Sequence, residues 1–139
     1  MMAVHGGQLR LSTRGNTDVV DITDGVAAVL RTSGVELGTV VAFVTGSTAA
    51  LTTMEYELGG VADLQTLLAE LTPADRAWEH NERNHDTNAH AHLRAAVIGP
   101  SESIPVVGGR LALGTWQQIV LVDFDDRPRE RVVTVHVHS

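Results

Sequence analysis

Four histidines lie between positions 80 and 92 of this chain, with an amide and a carboxylate among them. Imidazole is the commonest metal ligand among protein side chains, and its charge changes closer to neutral pH than that of other side chains. The segment therefore predicts metal binding, anion binding or proton transfer at His80, His85, His90 or His92. A polar loop with several histidines is also an ordinary solvated surface, so the spacing has to decide.

The spacing of Asn88, His90 and His92 distinguishes a helix from a strand. In a helix, Asn88 and His92 share one face, four residues apart, and His90 points roughly the opposite way. In a strand all three point to the same side. Apolar positions nearby fit a helix better: Leu93, Ala96 and Val97. The pattern therefore predicts a helix over 88–98 that presents Asn88 and His92 to the site and leaves His90 outside it.

Two hydroxyl residues after a glycine form a second candidate site. Ser47 and Thr48 follow Gly46, and consecutive backbone N–H groups in such a segment can form a concave phosphate site. The same residues also fit an ordinary turn between two strands. We therefore expect Ser47 and Thr48 either to bind a phosphate or only to connect strands.

Six further residues are candidates for ligand binding: Ser101, Ser103, Arg110, Thr115, Trp116 and Gln117. Arg110 could pair with a phosphate, although an arginine at a hairpin edge is usually solvated. Trp116 fits either stacking on a flat heterocycle or a buried core position. Gln117 stands in an apolar stretch and needs a partner if it is buried. The two serines fit either a pocket wall or a loop.

In the N-terminal half, the hydrophobic pattern predicts two helices and three strands. A strand over 8–13 alternates apolar and polar residues, and a helix from about residue 22 ends at Gly34. The β-branched run 39–45 is expected to pair with 49–54 across a turn at Gly46. A second helix over 61–71 stops before Pro73, and 72–90 is expected to be a surface loop.

The C-terminal half is predicted to contain β-strands joined by turns. Strands are expected over 104–107, 110–113, 115–124 and 131–137. Gly108-Gly109 fits a tight hairpin, and 125–128 a second turn. With no repeat or linker, the chain reads as one α+β domain over 1–139. It is predicted to have a mostly antiparallel, sandwich-like sheet and two or three short helices.

Composition limits the classes of protein that remain. A chain of 139 residues with 43% hydrophobic residues is large and apolar enough for one packed core. The net charge of -7 argues against a nucleic-acid binder, which needs a basic face. No apolar run reaches membrane-spanning length and no signal peptide is visible, so neither membrane insertion nor secretion is expected. There is no cysteine, so thiolate ligands are excluded, and a cytoplasmic location is the default expectation.

Several strings of the chain resemble the YjbQ-like family, whose members are often described as secondary thiamine-phosphate synthases. The most specific is GRLALGTWQ at 109–117, which follows NAHAHLRA at 88–95 and IPV at 104–106. DFD at 123–125 and FVTGSTA at 43–49 extend the likeness over nearly the whole chain. Ile22-Thr23, Gly38, Glu55 and Gly99 also match.

The resemblance implies a function and a set of site residues. The reaction would join a pyrimidine pyrophosphate to a thiazole phosphate, with His80, Asn88 and His92 as catalytic residues. The alternative is a non-catalytic protein that binds a small anionic or phosphorylated metabolite in the same pocket. The resemblance also implies a homotrimer with the pocket near a subunit boundary, and uncovered β-branched runs would provide apolar contact surface.

One departure from the family pattern bears on metal binding. The family usually has a histidine before the two hydroxyl residues, where this chain has Gly46. The family site would hold a divalent metal, zinc or magnesium, through three imidazoles. In this chain His80 and His92 remain, and a carboxylate such as Glu55 or Asp86, or His90 turned inward, would have to complete the site. We therefore expect weak metal affinity that a Gly46→His substitution would tighten.

Overall fold

The computed structural model describes residues 3–139, which form strands and helices in the order that follows. The elements are β1 (Val4–Thr13), β2 (Asp18–Asp21), α1 (Thr23–Ser33), β3 (Leu37–Val44), β4 (Ala49–Met54), α2 (Leu58–Leu71), α3 (Glu79–Asn84), α4 (Ala89–Ile98), β5 (Ser101–Val107), β6 (Arg110–Leu111), β7 (Gln118–Asp123) and β8 (Arg129–His138). This mixture confirms the predicted α+β class.

The strands form two antiparallel sheets. The larger sheet has the order β1-β8-β3-β5-β6, and the smaller has the order β2-β7-β4. The main core lies between them. On β3 and β8 every second side chain faces this core, for example Val40, Ala42, Val133 and Val135. Helix α1 adds Val26 and Leu30 to the same core, which is the sandwich-like arrangement that the alternation predicts.

A second core lies on the opposite face of the smaller sheet. There Val120, Val122 and Phe124 pack against Leu68 of α2 and Ala91 of α4, among other residues. Strand β7 is therefore buried on both faces, and its run of apolar residues has no alternation. This packing fixes α4, which carries Asn88 at its start and His92 in its first turns, against a rigid sheet.

Glycines end α1 and form the β5–β6 turn, as predicted. Gly34 has φ 68° at the C-terminus of α1 and donates its N–H to the carbonyl of Arg31. Gly108 and Gly109 have φ 59° and 72° between β5 and β6. Residues with side chains rarely adopt these left-handed conformations, which is why glycine marks both places in the sequence.

The helix count and the segment 72–90 differ from the prediction. The described part of the chain has four helices rather than two or three, because α3 lies inside the segment expected to be a loop. Helix α3 is short and polar and has no buried residue, so it leaves no apolar period to detect. An exposed ion pair joins Glu79 to Arg83 along it, at 2.9 Å.

The predicted pairing of β3 with β4 is wrong. Strand β3 pairs with β5 and β8, whereas β4 pairs with β7 in the other sheet. The Gly46–Thr48 segment therefore crosses from one sheet to the other instead of closing a hairpin. Residues 125–128 likewise connect β7 to β8 across the two sheets. Both crossings occur at the same end of the sandwich, beside α4.

The outer face of the larger sheet carries exposed apolar side chains. Leu37 and Val107 are partners across β3 and β5, and they are 73% and 60% exposed. Phe43, on the same face of β3, is 45% exposed. Within residues 3–139, no helix has the length and hydropathy needed to cross a membrane.

Candidate functional site

Helices α3 and α4 bring His80 and His92 together. Their ring centroids are 4.9 Å apart and their planes are tilted by 44°. Asn81 fixes this arrangement, because its Oδ1 accepts the N–H of Ala89 at 3.0 Å and lies 3.0 Å from His80 Nδ1. An amide oxygen can only accept, so Nδ1 of His80 is the donor in this contact. The two histidines that the sequence predicts at one site are therefore neighbours in the structure.

A cavity of about 260 Å³ adjoins the two imidazoles. Its walls include Trp78, His80, Ala89, His92 and Leu93. The indole N–H of Trp78 donates to the carbonyl of Pro73 at 2.8 Å, which fixes the ring. The cavity therefore combines a flat aromatic wall with two imidazoles, a surface that suits a planar heterocycle. The sequence did not single out Trp78.

A second cavity, of about 240 Å³, lies on the other side of His92. Gly46, Ser47, Ala49 and Pro100 line it together with His92 and two alanines of α4. His92 is thus shared by both cavities. Gly46 and His92 therefore line the same cavity. The family pattern implies the same proximity between His92 and the histidine that other members have at position 46.

Behind Gly46 lies a buried network of charged residues. Arg131 of β8 donates from Nε and Nη2 to the carboxylate of Asp123 at 2.7 and 2.8 Å, and from Nη2 to Thr48 Oγ1 at 2.6 Å. Thr48 in turn donates to Asp125 Oδ2 at 3.0 Å. Arg129 also donates to Asp125, from Nε at 2.8 Å. Two arginines thus balance two fully buried carboxylates.

Asn88 joins this network to α4. Its Nδ2 donates to Asp125 Oδ1 at 3.3 Å, and its backbone carbonyl accepts the N–H of His92 at 3.3 Å. Asn88 Oδ1 is buried and has no hydrogen-bond donor among residues 3–139. The same holds for Nδ1 of the buried His90. Buried polar atoms are nearly always paired, so these two are unusual.

Two groups of this region have a shifted pKa. Burial opposes ionisation of Asp125, but hydrogen bonds from Arg129, Asn88, the Asp126 amide and Thr48 outweigh it and hold the pKa of Asp125 well below its usual value. Burial lowers the pKa of His90, and the charge of Arg94 adds to that effect. Asp125 is therefore a carboxylate that stays ionised in the folded protein.

The structure places five sequence-predicted residues around one region. His80, His92, Ser47, Asn88 and Thr48 all belong to the two cavities or to the network behind them. Thr48 is buried and holds the network, whereas Ser47 is exposed at the cavity wall. Ser101 follows Pro100, which lines the cavity, and Ser103 lies two residues farther along β5.

The remaining candidates lie elsewhere. Arg110 lines a separate cavity of about 490 Å³ between α1 and the β5–β6 hairpin. Thr115 is exposed and Trp116 is 74% exposed. Gln117 donates to Thr53 Oγ1 at 3.0 Å and accepts the N–H of Gly114 at 3.1 Å, so it fixes a surface turn. None of these residues lines either cavity beside His92.

Glu55 also lies away from the two histidines. It follows the last residue of β4, while Ala49 at the start of β4 lines the cavity. At about 3.3 Å per residue the strand separates its two ends by about 17 Å. Within residues 3–139, no three His, Asp or Glu side chains gather closely enough to hold a metal ion. A metal site on His80, His92 and Glu55 thus stays a prediction without geometric support in a single chain.

The most buried charged residues of the region were missed from the sequence. A signal was present in the sequence. Two acidic residues two positions apart, Asp123 and Asp125, lie where β7 ends, and two basic residues with the same spacing, Arg129 and Arg131, lie where β8 begins. Charges of opposite sign at matching spacing, next to β-branched strands, indicate paired buried ions. From the sequence, residues 125–128 are predicted only as a turn, and residues 123–125 serve only the family resemblance.

The chain matches one family of proteins over nearly its whole length. A family described as "UPF0047 protein YjbQ-like" matches residues 7–139. A UPF0047 protein of Methanothermobacter thermautotrophicus is 37% identical over 136 residues, which cover 98% of this chain and 93% of that protein. The UPF0047 protein YugU of Bacillus subtilis is 34% identical over 125 residues, covering 88% and 91%.

Solved structures show the same fold. A protein of Sulfolobus solfataricus described as YbjQ-like and of unknown function has a TM-score of 0.95 and 40% identity, covering 100% of this chain and 99% of that one. A hypothetical protein of Aeropyrum pernix has a TM-score of 0.87 and 42% identity, covering 94% and 95%. The chain therefore belongs to the UPF0047, YjbQ-like family.

Proposed function

We propose that the cavities on either side of His92 bind a phosphorylated heterocycle, and that the chain catalyses a condensation of the thiamine-phosphate synthase type. The observation that carries this proposal is the His80–His92 pair, 4.9 Å apart, in which His92 lines both the aromatic cavity and the cavity beside Gly46. Trp78 offers a flat surface to a ring. Ser47 and the backbone beside Gly46 offer hydrogen-bond donors to a phosphate.

In this reaction the ring nitrogen of the thiazole phosphate attacks the methylene carbon of the pyrimidine pyrophosphate. The carbon–oxygen bond to pyrophosphate breaks, and its electron pair leaves with the pyrophosphate. The protein would hold both rings in line and stabilise the negative charge that grows on the departing oxygen. His92 lies at the boundary between the cavities, where it can donate a hydrogen bond to that oxygen.

A resident metal does not fit the residues present. Two imidazoles face the cavities, and neither cavity beside His92 gains a third ligand from Glu55 or from the paired carboxylates Asp123 and Asp125. Structural zinc sites use four protein ligands and catalytic ones three. We therefore assign no step of the reaction to a bound metal.

The second candidate function is binding of a small anionic metabolite without catalysis. One observation favours it, because no carboxylate lines the second cavity and Glu79, the one acidic residue at the first, is paired with Arg83. In the described chain the two imidazoles are then the remaining groups at this site that can move protons. In this case the ligand would bind to the same surfaces, and His80 and His92 would contribute only hydrogen bonds.

An assay of thiamine phosphate formation separates the two functions. The purified chain, from a host that lacks its own thiamine-phosphate synthase, is incubated with both substrates, with magnesium and with a chelator. Catalysis predicts product that is lost in His92→Gln and retained in His85→Gln, since His85 is exposed and lines neither cavity. Binding of both substrates without product supports the metabolite-binding function instead.

We also propose that the chain forms a homotrimer through the outer face of the larger sheet. Leu37, Phe43 and Val107 are exposed on the outer face of β3 and β5. No Asp, Glu, Lys or Arg of these two strands lies on that face. Apolar side chains that are exposed together on one sheet face mark a candidate contact with a partner. Closed cyclic symmetry covers it without leaving an open surface on any copy.

A further inference from the structure

Arg131 uses only part of its guanidinium in the buried network. Nε and Nη2 donate to Asp123 and Thr48, whereas Nη1 has no acceptor among residues 3–139. The side chain is 7% exposed, so this unused group is held in place. Arginine forks present several donors in a fixed plane, which suits the oxygen atoms of a phosphate.

Nη1 lies directly against Gly46. A Cβ built on Gly46 would stand 2.7 Å from Nη1, which is closer than real Cβ contacts. In this chain the guanidinium therefore occupies the space that a side chain at position 46 would take. Gly46 has φ 128°, a backbone conformation that side chains rarely adopt, so the approach depends on glycine.

The backbone of the same segment has unused donors. Within the described chain the N–H groups of Gly46 and Ser47 donate to no acceptor, and the hydroxyl of Ser47 has no partner. Gly46 and Ser47 line the 240 Å³ cavity together with His92, and Arg131 Nη1 lies behind Gly46, 2.7 Å from its Cβ position. Successive free N–H groups in a turn form a concave anion site.

The charges around this cavity favour an anion over a cation. No acidic residue lines it, and the nearest network carboxylates, Asp123 and Asp125, are fully buried and bonded to Arg131 and Arg129. A divalent cation there would meet Gly46 and Ser47, whose N–H groups are unused, with the positive guanidinium of Arg131 directly behind Gly46. The overall charge of -7 acts at longer range, where physiological salt screens it beyond about 8 Å.

We infer that Gly46, Ser47 and Arg131 Nη1 form a metal-independent phosphate subsite, with His92 as the residue that links it to the aromatic cavity. The phosphate subsite deepens the proposed function. It rests on that function only for the identity of the heterocycle to which the phosphate is attached. The subsite would hold the phosphate or pyrophosphate group, while the ring would lie against Trp78. Arg131 is thus a binding residue that no other observation assigns.

The test uses the wild-type protein labelled with ¹⁵N and titrated with inorganic pyrophosphate in the presence of EDTA. The inference predicts saturable shifts of the backbone signals of Gly46 and Ser47 and of the Nε signal of Arg131. Shifts at His80 or His92 with none at 46–48, the absence of any saturable shift, or a requirement for magnesium would overturn it. The titration measures pyrophosphate binding and not thiamine phosphate formation. The subsite can therefore fail or hold independently of the catalytic proposal.

A matched pair of glycine variants adds a second readout by calorimetry. In Gly46→Ala the added Cβ takes the space of Nη1, so pyrophosphate affinity should fall about tenfold, as expected for one lost bond to a charged group. Gly34→Ala is the control, because Gly34 also has positive φ but nothing lies within 4 Å of its Cβ position. Equal affinities in the two folded variants would contradict the subsite.

Discussion

Arg131 and Asp123 form two parallel hydrogen bonds, of 2.7 and 2.8 Å, between strands that belong to different sheets. The Asp123 side chain is fully buried and that of Arg131 is 7% exposed. This ion pair therefore joins the two layers of the sandwich directly beneath the Gly46–Thr48 crossing. It links the stability of the fold to the shape of the candidate site.

Removal of one partner from this pair should strongly destabilise the protein. Asp123→Ala leaves the Arg131 guanidinium buried without its counter-ion, and losses of about 3–5 kcal/mol are typical. Urea unfolding at pH 7 measures the change. The control is Glu79→Ala, which breaks an exposed pair with Arg83 and should cost no more than about 0.5 kcal/mol. Similar losses in the two variants would show that the buried pair has no special role.

Acid should destabilise the protein through Asp125. The pKa of Asp125 is lower in the folded protein than in the unfolded chain, where it is about 3.9. Its contribution to stability is therefore fully present above the unfolded value and is lost as the pH falls toward the folded value. Unfolding free energies from pH 7 to 2.5 should decrease below about pH 4. Asp125→Asn should be less stable at pH 7 and show a shallower acid loss; an unchanged slope would contradict the assignment.

Zinc affinity should be low in the wild-type chain. Only two imidazoles face the cavities, so zinc should be lost on extensive dialysis, and one equivalent that remains would contradict this expectation. Gly46→His should tighten zinc binding by adding a third imidazole. It should also lower stability by about 1–3 kcal/mol, because the new Cβ displaces Arg131 Nη1 and adopts a strained φ. Calorimetry with zinc and urea unfolding measure the two effects.

The oligomeric state is a further prediction. Light scattering should give a mass of about 45 kDa, three times the 14.9 kDa of one chain. Phe43→Glu should reduce this mass to that of a monomer, because it places a charge on the outer face of the larger sheet. Leu67→Glu is the control, since Leu67 is also exposed, at 57%, but lies on α2. A wild-type mass of one chain would exclude the trimer.

Local signals in the sequence predicted local structure well. Gly34 ends α1 and Gly108-Gly109 forms the β5–β6 turn. Each glycine adopts a positive φ, and the need for it arises from the adjacent residues of the helix end or the turn. The helix over 88–98 was recognised from its apolar period, and α4 begins at Ala89. The pairing of His80 with His92 came from family resemblance and was then found in the geometry.

Long-range relations were not predictable in the same way. Strand β4 has the β-branched character that suits pairing with β3, yet its partner is β7, some seventy residues later in the chain. Nothing within the Gly46–Thr48 segment encodes which sheet the next strand joins. The burial of Arg131 depends on Asp123 and Thr48 together, and its one sign in the sequence was the matching spacing of the acidic and basic residues.

Strand β8 lies between β1 and β3 and is formed by residues 129–138. The first strand of the described chain therefore has its pairing partner more than a hundred residues later, and β3 lacks one of its two neighbours until that partner arrives. During synthesis on the ribosome, the larger sheet cannot close until residues 129–138 have left the exit tunnel. Until then β1 and β3 expose unpaired edges, so a nascent chain stalled before residue 129 should depend on chaperones to avoid aggregation.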